Sequence, residues 1–168
     1  MKREIIGQNC LSVVILILPA SSLMTVASTI DPMRAANRIV GKAIFNWKIV
    51  SPRGLAIDLT CGLSLPVNGR FSDNDRGDLL IIIGGFDAIN TALPVTPIRL
   101  KRILTNFTKV VSVEGGTWLL AKTGALDGMK ATTHWEDLES FSDEFSNIDV
   151  VADRFVVENK YVTVGGAS

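Results

Sequence analysis

The chain has 168 residues, is 47% hydrophobic and contains seven Phe, three Trp and one Tyr, so it can bury one sizeable core but has little room for two. One domain, residues 1–168, is therefore expected. The chain has 17 basic residues (Lys and Arg) and 17 acidic residues (Asp and Glu). This zero net charge argues against a protein that binds DNA by itself. Cys10 and Cys61 lie in no zinc or redox motif, so we expect both to be small buried residues of a cytoplasmic protein without a metal site or cofactor.

The N-terminal segment admits two interpretations. Lys2 and Arg3, followed by the apolar run Leu11–Leu18, resemble a secretory signal. The run is too short to span a membrane, is rich in β-branched residues and ends at Pro19, which favours a strand buried on both faces of a parallel sheet. We favour the strand and expect no association with a membrane.

A helix is predicted directly after this strand. Ser21 or Ser22 can cap it, and its apolar positions recur at three- and four-residue spacing: Leu23, Val26, Ala27, Ile30 and Met33. A strand, a tight turn and an amphipathic helix make the first half of a βαβ unit.

The same alternation continues along the chain. Asp73–Asp78 is predicted to be a polar loop, and Thr96 can cap a helix that has Pro97 at its first position and runs to about Phe107. Arg99, Lys101 and Arg102 are expected to form its solvated face. Further β segments are predicted at Phe45–Val50, Leu55–Leu59, Leu79–Ile83, Lys109–Val113, Phe155–Glu158 and Tyr161–Val164. The pattern predicts an α/β fold with a mostly parallel sheet.

The most informative junction follows the strand that ends at Val113. An exposed Glu114 leads into Gly115-Gly116 and a helix, which is the pattern of a nucleophile elbow carrying a carboxylate. Free N–H groups of Gly115 and Gly116 and the helix dipole are expected to stabilise the negative charge of Glu114 or of a bound anion. Alternatively, Glu114 is a first-turn carboxylate that only satisfies helix N–H groups.

Four motifs in order carry a family resemblance. The segments Val111–Thr117 and Ala131–His134 resemble the PfpI-type branch of the class I glutamine amidotransferase-like superfamily. The segments Asp31–Asn37 and Leu119–Gly128, the latter followed by His134-Trp135, are similar to motifs in the N-terminal domains of AraC-family transcription regulators. The resemblance, from about Val13 to Ala167, implies a flavodoxin-like three-layer α/β sandwich with a mostly parallel central sheet.

The resemblance also bears on catalysis. The PfpI-type enzymes have a cysteine where this chain has Glu114, and a glutamate in the first helix where it has Thr25. A carboxylate cannot supply a nucleophilic thiolate, so we expect a sensor domain and not an enzyme. A PfpI-type hydrolase or deglycase, acid–base chemistry by Glu114 and His134, and a pseudoenzyme without a ligand remain as alternatives.

A ligand pocket is expected at the carboxyl ends of the strands. A desolvated carboxylate near His134 and aromatic side chains favours a small amine or an amino-acid-like effector over an anion. His134 can equally be a packed, hydrogen-bonded imidazole, and the aromatic residues can be ordinary core. The predicted pocket residues are Glu114, Gly115, His134, Gly85, Phe86, Thr25, Trp118 and Trp135.

The C-terminal segment Tyr161–Ser168 resembles the strand and glycine turn that precede a last helix and a helix-turn-helix domain in those regulators. The resemblance therefore implies a sensor domain that lacks the C-terminal helix-turn-helix domain of the full-length regulator and controls DNA contacts through it. It also implies a homodimer, for which the apolar character of the first helix is the sequence support.

Overall fold

The computed structural model describes residues 10–166, and seven of its strands form one sheet. Lys2 and Arg3 of the signal-like pattern and Ala167 and Ser168 of the C-terminal segment lie outside the described residues. The strands of the sheet are β1 (Leu11–Ile17), β2 (Phe45–Ser51), β5 (Gly69–Arg70), β6 (Gly77–Gly84), β7 (Phe107–Glu114), β10 (Phe155–Glu158) and β11 (Tyr161–Val164). Their order is β10-β11-β7-β6-β1-β2-β5, and every neighbouring pair is parallel except β10 with β11.

The remaining regular elements surround this sheet. Two short strand pairs are β3 (Ile57–Asp58) with β4 (Ser64–Leu65) and β8 (Lys130–Ala131) with β9 (Asp149–Val150). The helices are α1 (Leu23–Val40), α2 (Ala88–Thr91), α3 (Pro97–Ile103), α4 (Gly116–Ala121) and α5 (Leu138–Glu144). Two 3-10 turns occupy Leu104–Asn106 and Trp135–Asp137.

The core has two halves, one on each face of the sheet. Side chains alternate along a strand, so Val13, Ile15 and Ile17 of β1 pack with α1, while Val14 and Leu16 pack with the cluster that includes residues of α2, α3, α4 and α5. The buried run of β1 thus faces helices on both sides, as predicted. The flavodoxin-like three-layer sandwich is confirmed.

The register of the central strands brings three chain segments to one edge. Ile17 pairs with Ile83, and Gly84 pairs with Glu114. The carboxyl ends of β1, β6 and β7 therefore meet side by side, and the loops that follow them share the same edge of the sheet. This edge is where open α/β sheets bind ligands.

Several local predictions are wrong. Both Cys10 and Cys61 are exposed, since Cys10 precedes β1 and Cys61 lies in the turn between β3 and β4. Ser22 occupies the N-cap of α1, but its side chain makes no capping hydrogen bond. The Ser21 hydroxyl, also expected as a possible cap, donates instead to the Leu18 carbonyl at 2.7 Å.

The helix after Thr96 begins as predicted but ends earlier. The Thr96 hydroxyl accepts a hydrogen bond from the Arg99 N–H, and Pro97 is at the first position. The helix ends at Ile103, and Phe107 already begins β7. Lys101 and Arg102 are exposed as expected, whereas the Arg99 side chain is only 16% exposed and pairs with Asp73. β6 begins at Gly77, so the predicted Asp73–Asp78 loop is shorter.

Candidate functional site

A sharp bend connects β7 to α4. Glu114 is the last residue of β7 and has φ +51°, a left-handed conformation that is strained for a residue with a side chain. A Cβ atom at Gly115 would lie 2.0 Å from the Gly85 carbonyl oxygen, and one at Gly116 would lie 2.3 Å from the Ile82 carbonyl oxygen. Only glycine fits at either position, because the backbone passes directly against the end of β6.

One prediction about this bend is wrong. The Gly115 N–H is not free, because it donates to the Gly84 carbonyl oxygen at 3.0 Å. The bond continues the pairing between β6 and β7 by one residue past Glu114. The Gly115 N–H therefore stabilises the bend itself and is not available to a carboxylate or a bound anion.

The Glu114 carboxylate has its own partners. The Thr25 hydroxyl, buried in α1, donates a 2.6 Å hydrogen bond to Glu114 Oε1. The Thr133 hydroxyl donates to the Glu114 backbone carbonyl at 3.2 Å. On the other side a Cβ atom at Gly166 would lie 2.7 Å from Glu114 Oε1. The carboxylate is thus held by one charge-assisted hydrogen bond, from Thr25, while Thr133 holds the backbone of the same residue and Gly166 passes close to its side chain.

A cavity of about 280 Å³ opens over this carboxylate. Six of the predicted residues line it: Thr25, Gly85, Phe86, Glu114, Gly115 and His134. The structure adds five more that the sequence did not indicate, Ala20, Ser22, Met24, Thr60 and Asp137. Glu114 and Asp137 are its acidic residues, and none of its lining residues is a lysine or an arginine.

Two of the missed residues, Ala20 and Thr60, come from loops whose positions depend on the fold. Ala20, with φ +60°, lies in the turn after β1, and Thr60 lies between β3 and β4. The Thr60 N–H donates to the Ser21 carbonyl at 3.2 Å, which attaches that turn to the start of α1. Neither residue belongs to a motif, so no sequence signal could have identified them.

His134 lies at the cavity with its side chain 17% exposed. Its ring meets the Phe86 ring edge to face, with centroids 6.0 Å apart and planes at 73°. His134 Nδ1 accepts a long hydrogen bond of 3.4 Å from the Glu136 N–H. Among the described residues no hydrogen bond or ion pair joins His134 to Glu114, although both line the same cavity.

Two predicted pocket residues lie elsewhere. Trp118 packs against Phe141 and Phe145 at centroid distances of 5.2 and 5.6 Å, and it lines a neighbouring cavity instead. Trp118 lies on α4, which turns its side chain toward α5. Trp135 is 66% exposed and lines a separate groove, although its ring lies 5.8 Å from the ring of His134.

The chemistry available at this cavity is that of a carboxylate, an imidazole and hydroxyl groups. Neither cysteine is among its lining residues. Within residues 10–166 no group of three or more His, Cys, Asp or Glu side chains is arranged to hold a metal ion. Over the same range no helix has the length and apolar character needed to cross a membrane.

Curated relatives of the chain include bacterial transcription regulators. The HTH-type transcriptional regulator CdhR of Pseudomonas aeruginosa is 28% identical over 153 residues, which cover 91% of this chain and 45% of that protein. The HTH-type transcriptional regulator GlxA of Rhizobium meliloti is 25% identical over 146 residues, 86% of this chain and 45% of that protein. The chain thus spans less than half the length of these relatives.

Solved structures give the same fold. An AraC family transcriptional regulator from Pseudomonas putida has a TM-score of 0.80 at 19% identity, over 94% of this chain and 84% of that one. Drosophila melanogaster DJ-1beta has a TM-score of 0.77 at 16% identity, over 95% and 83% of the two chains. The family model described as the DJ-1/PfpI family matches residues 12–168. Because this match takes in both core halves and the whole cavity, the chain belongs to the DJ-1/PfpI family.

Proposed function

We propose that this domain is the effector sensor of an AraC-type transcription regulator and that it performs no catalysis. The observation that carries the proposal is Glu114, which lies at a bend in a left-handed conformation and presents a carboxylate to a cavity. We propose that this carboxylate stands where the PfpI-type enzymes have their cysteine nucleophile. Relatives that are HTH-type transcriptional regulators support the regulatory part. The proposed effector is a small amine or an amino-acid-like metabolite.

The lining of the cavity supports a cationic group in the ligand. Glu114 and Asp137 supply negative charge, and Phe86 supplies an aromatic face, which together attract an ammonium group in a partly desolvated site. Thr25 occupies only Oε1 of the carboxylate among the described contacts. A second oxygen is thus left to meet a ligand cation.

Calorimetry with choline, tetramethylammonium and acetate tests the ligand proposal. We expect the two cations to bind the chain and Glu114→Gln to weaken their binding at least about tenfold, since a charged hydrogen-bond or ion partner contributes about 1.5 to 3 kcal/mol. The Asp143→Asn variant, which changes an exposed carboxylate outside the cavity, is the matched control. Equal weak binding of acetate and choline would contradict the proposal.

The absence of catalysis is proposed because the cavity offers no thiol. Glu114 and His134 make no described contact with each other, so the pair lacks the hydrogen bond of an activated nucleophile and its base. Esterase, deglycase and protease assays of the unmodified chain are expected to match the buffer. Turnover that disappears in Glu114→Gln would show that the domain is an enzyme after all.

The regulatory proposal extends to parts that this chain does not contain. We propose that a helix-turn-helix domain C-terminal to residue 168 binds DNA in the bacterial cytoplasm, and that the regulator is a homodimer. An effector can then act by favouring one dimer arrangement over another. Reporter assays with the gene that encodes this domain, with and without the effector, test whether effector binding changes transcription. A downstream reading frame without a helix-turn-helix pattern would contradict the proposed DNA-binding domain.

A further inference from the structure

A second cavity adjoins the one over Glu114. Its volume is about 340 Å³, and Phe86 and Asp137 line both cavities. The Phe86 side chain, which lies where the two meet, is 61% exposed. Among the described aromatic pairs, the Phe86 ring contacts only His134, edge to face. Most of the side chain is therefore accessible to a ligand between the cavities.

The second cavity has an apolar wall. Trp118 and Ile89 line it together with Phe86. The Trp118 ring is fixed edge-on by Phe141 and Phe145, so its free surface is a rigid aromatic face. Such a face binds hydrocarbon or a cation at little entropic cost, because no rotamer has to be frozen.

The charges around both cavities have one sign. Asp87 lines the second cavity, Asp137 lines both and Glu114 lines the first, while no lysine or arginine lines either. The Asp137 carboxylate has no hydrogen-bond or ion-pair partner within the part of the chain that the structure describes. A ligand that enters the second cavity with a carboxylate end would meet Asp87 and Asp137 without a compensating cation.

We infer that the two cavities form one bipartite site for an elongated organic cation without a carboxylate. The ammonium head lies beside Glu114, and the chain passes Phe86 to contact Trp118. The inference rests on the proposed function for the position of the head. The length of the ligand and the charge of its far end then determine affinity. The site therefore selects a long-chain amine over an amino acid.

Calorimetry with the alkyltrimethylammonium series from methyl to hexyl tests the inference on the full chain. Affinity is expected to rise roughly fourfold for each methylene group that enters the second cavity, since a buried methylene contributes about 0.8 kcal/mol. A hexyl analogue that ends in a carboxylate should bind at least about tenfold more weakly than the hexyl compound. If tetramethylammonium binds but affinity is flat along the series, the inference is wrong and the proposed function survives.

Two matched variants test whether the gain in affinity with chain length arises in the second cavity. Ser140 is exposed on α5 and lines the second cavity, whereas its neighbour Glu139 is exposed and lines neither cavity. Because its side chain fills the second cavity, Ser140→Trp is expected to bind hexyltrimethylammonium and tetramethylammonium with about equal affinity. Glu139→Trp should still bind the hexyl compound more tightly. A gradient that persists in Ser140→Trp would overturn the inference. If no member of the series binds, the proposed function itself fails.

Discussion

The Thr25 hydroxyl and Glu114 Oε1 are 2.6 Å apart, and this hydrogen bond joins α1 to the end of β7 across 89 positions of sequence. By the family resemblance, the first helix and the bend are the places where related enzymes carry a glutamate and a cysteine. In this chain the carboxylate is at the bend, and a hydroxyl on the helix binds it. The pair therefore stabilises a charge where the enzymes have a nucleophile.

Removal of the Thr25 hydroxyl should destabilise the fold. Thr25 is 1% exposed, so Thr25→Val leaves the carboxylate without its described donor and should lower the free energy of unfolding by about 1.5 to 3 kcal/mol. Urea denaturation measures the change. Thr25→Ser retains the hydroxyl and should lie close to the unmodified chain. A loss in Thr25→Ser with little or none in Thr25→Val would show that the Thr25 methyl group, and not the hydrogen bond, is what matters.

The backbone strain at Glu114 has a measurable consequence. Because residue 114 has φ +51°, Glu114→Gly should be more stable than Glu114→Ala by about 1 kcal/mol. Chemical denaturation of both variants gives the difference directly. At exposed Ala27 in α1 the order should reverse, with Ala27→Gly less stable by about 1 kcal/mol. An Ala variant at 114 that matches or exceeds the Gly variant would contradict the left-handed conformation.

Gly85 should tolerate no side chain. A Cβ atom there would lie 1.8 Å from the Ala20 carbonyl oxygen, which belongs to the backbone and cannot move aside cheaply. Gly85→Ala is expected to lower stability by at least about 3 kcal/mol, as overpacking against backbone does. Gly69→Ala is the control, because a Cβ atom at Gly69 has nothing within 4 Å. Thermal unfolding that is unchanged in Gly85→Ala would show that the loop with Gly85 lies further from the loop with Ala20.

The pair of Ser12 and Asp78 at the start of β1 and β6 should make stability depend on pH. Asp78 Oδ2 accepts hydrogen bonds of 2.8 Å from the Ser12 N–H and from its hydroxyl, and these bonds hold the pKa of Asp78 below its ordinary value of 3.8. A carboxyl whose pKa is lower in the folded state stabilises the fold above its unfolded pKa. This contribution disappears as the pH falls through the folded value.

Asp78→Asn tests that dependence. The free energy of unfolding of the variant should lie furthest below that of the unmodified chain near about pH 7, and the gap should narrow toward about pH 3. Urea titrations at several pH values measure the gap. A gap of constant size would mean that the hydrogen bonds of Asp78 do not depend on its charge.

Much of the fold was predictable because its signals are local. The apolar run of β1, the apolar spacing of α1 and the Thr96 cap of α3 are signals within a few residues, so propensity and periodicity identify these elements. The short elements could not be found in this way. Helix α2, at Ala88–Thr91, follows Asp87 in a left-handed conformation, and the pairing of β8 with β9 joins segments that share no sequence pattern.

The site was predictable where a motif carried it. Glu114, Gly115 and His134 belong to segments that resemble a known family, and all three line the cavity. Its nearness to Glu114 in sequence predicts the same cavity for Trp118. The rotation of α4 places it in the second cavity instead.

By itself the sequence determined the order of the longer strands and helices, the sharp bend at Glu114 and the carboxylate at that position, because these depend on residue identity and short-range spacing. Only the tertiary structure decided that Thr25 binds the carboxylate, that Asp137 and Thr60 complete the cavity and that a second cavity adjoins it. The physical reason is that these contacts join residues distant in sequence, so they exist only once the parallel strands are in register and the loops that follow them meet at one edge of the sheet.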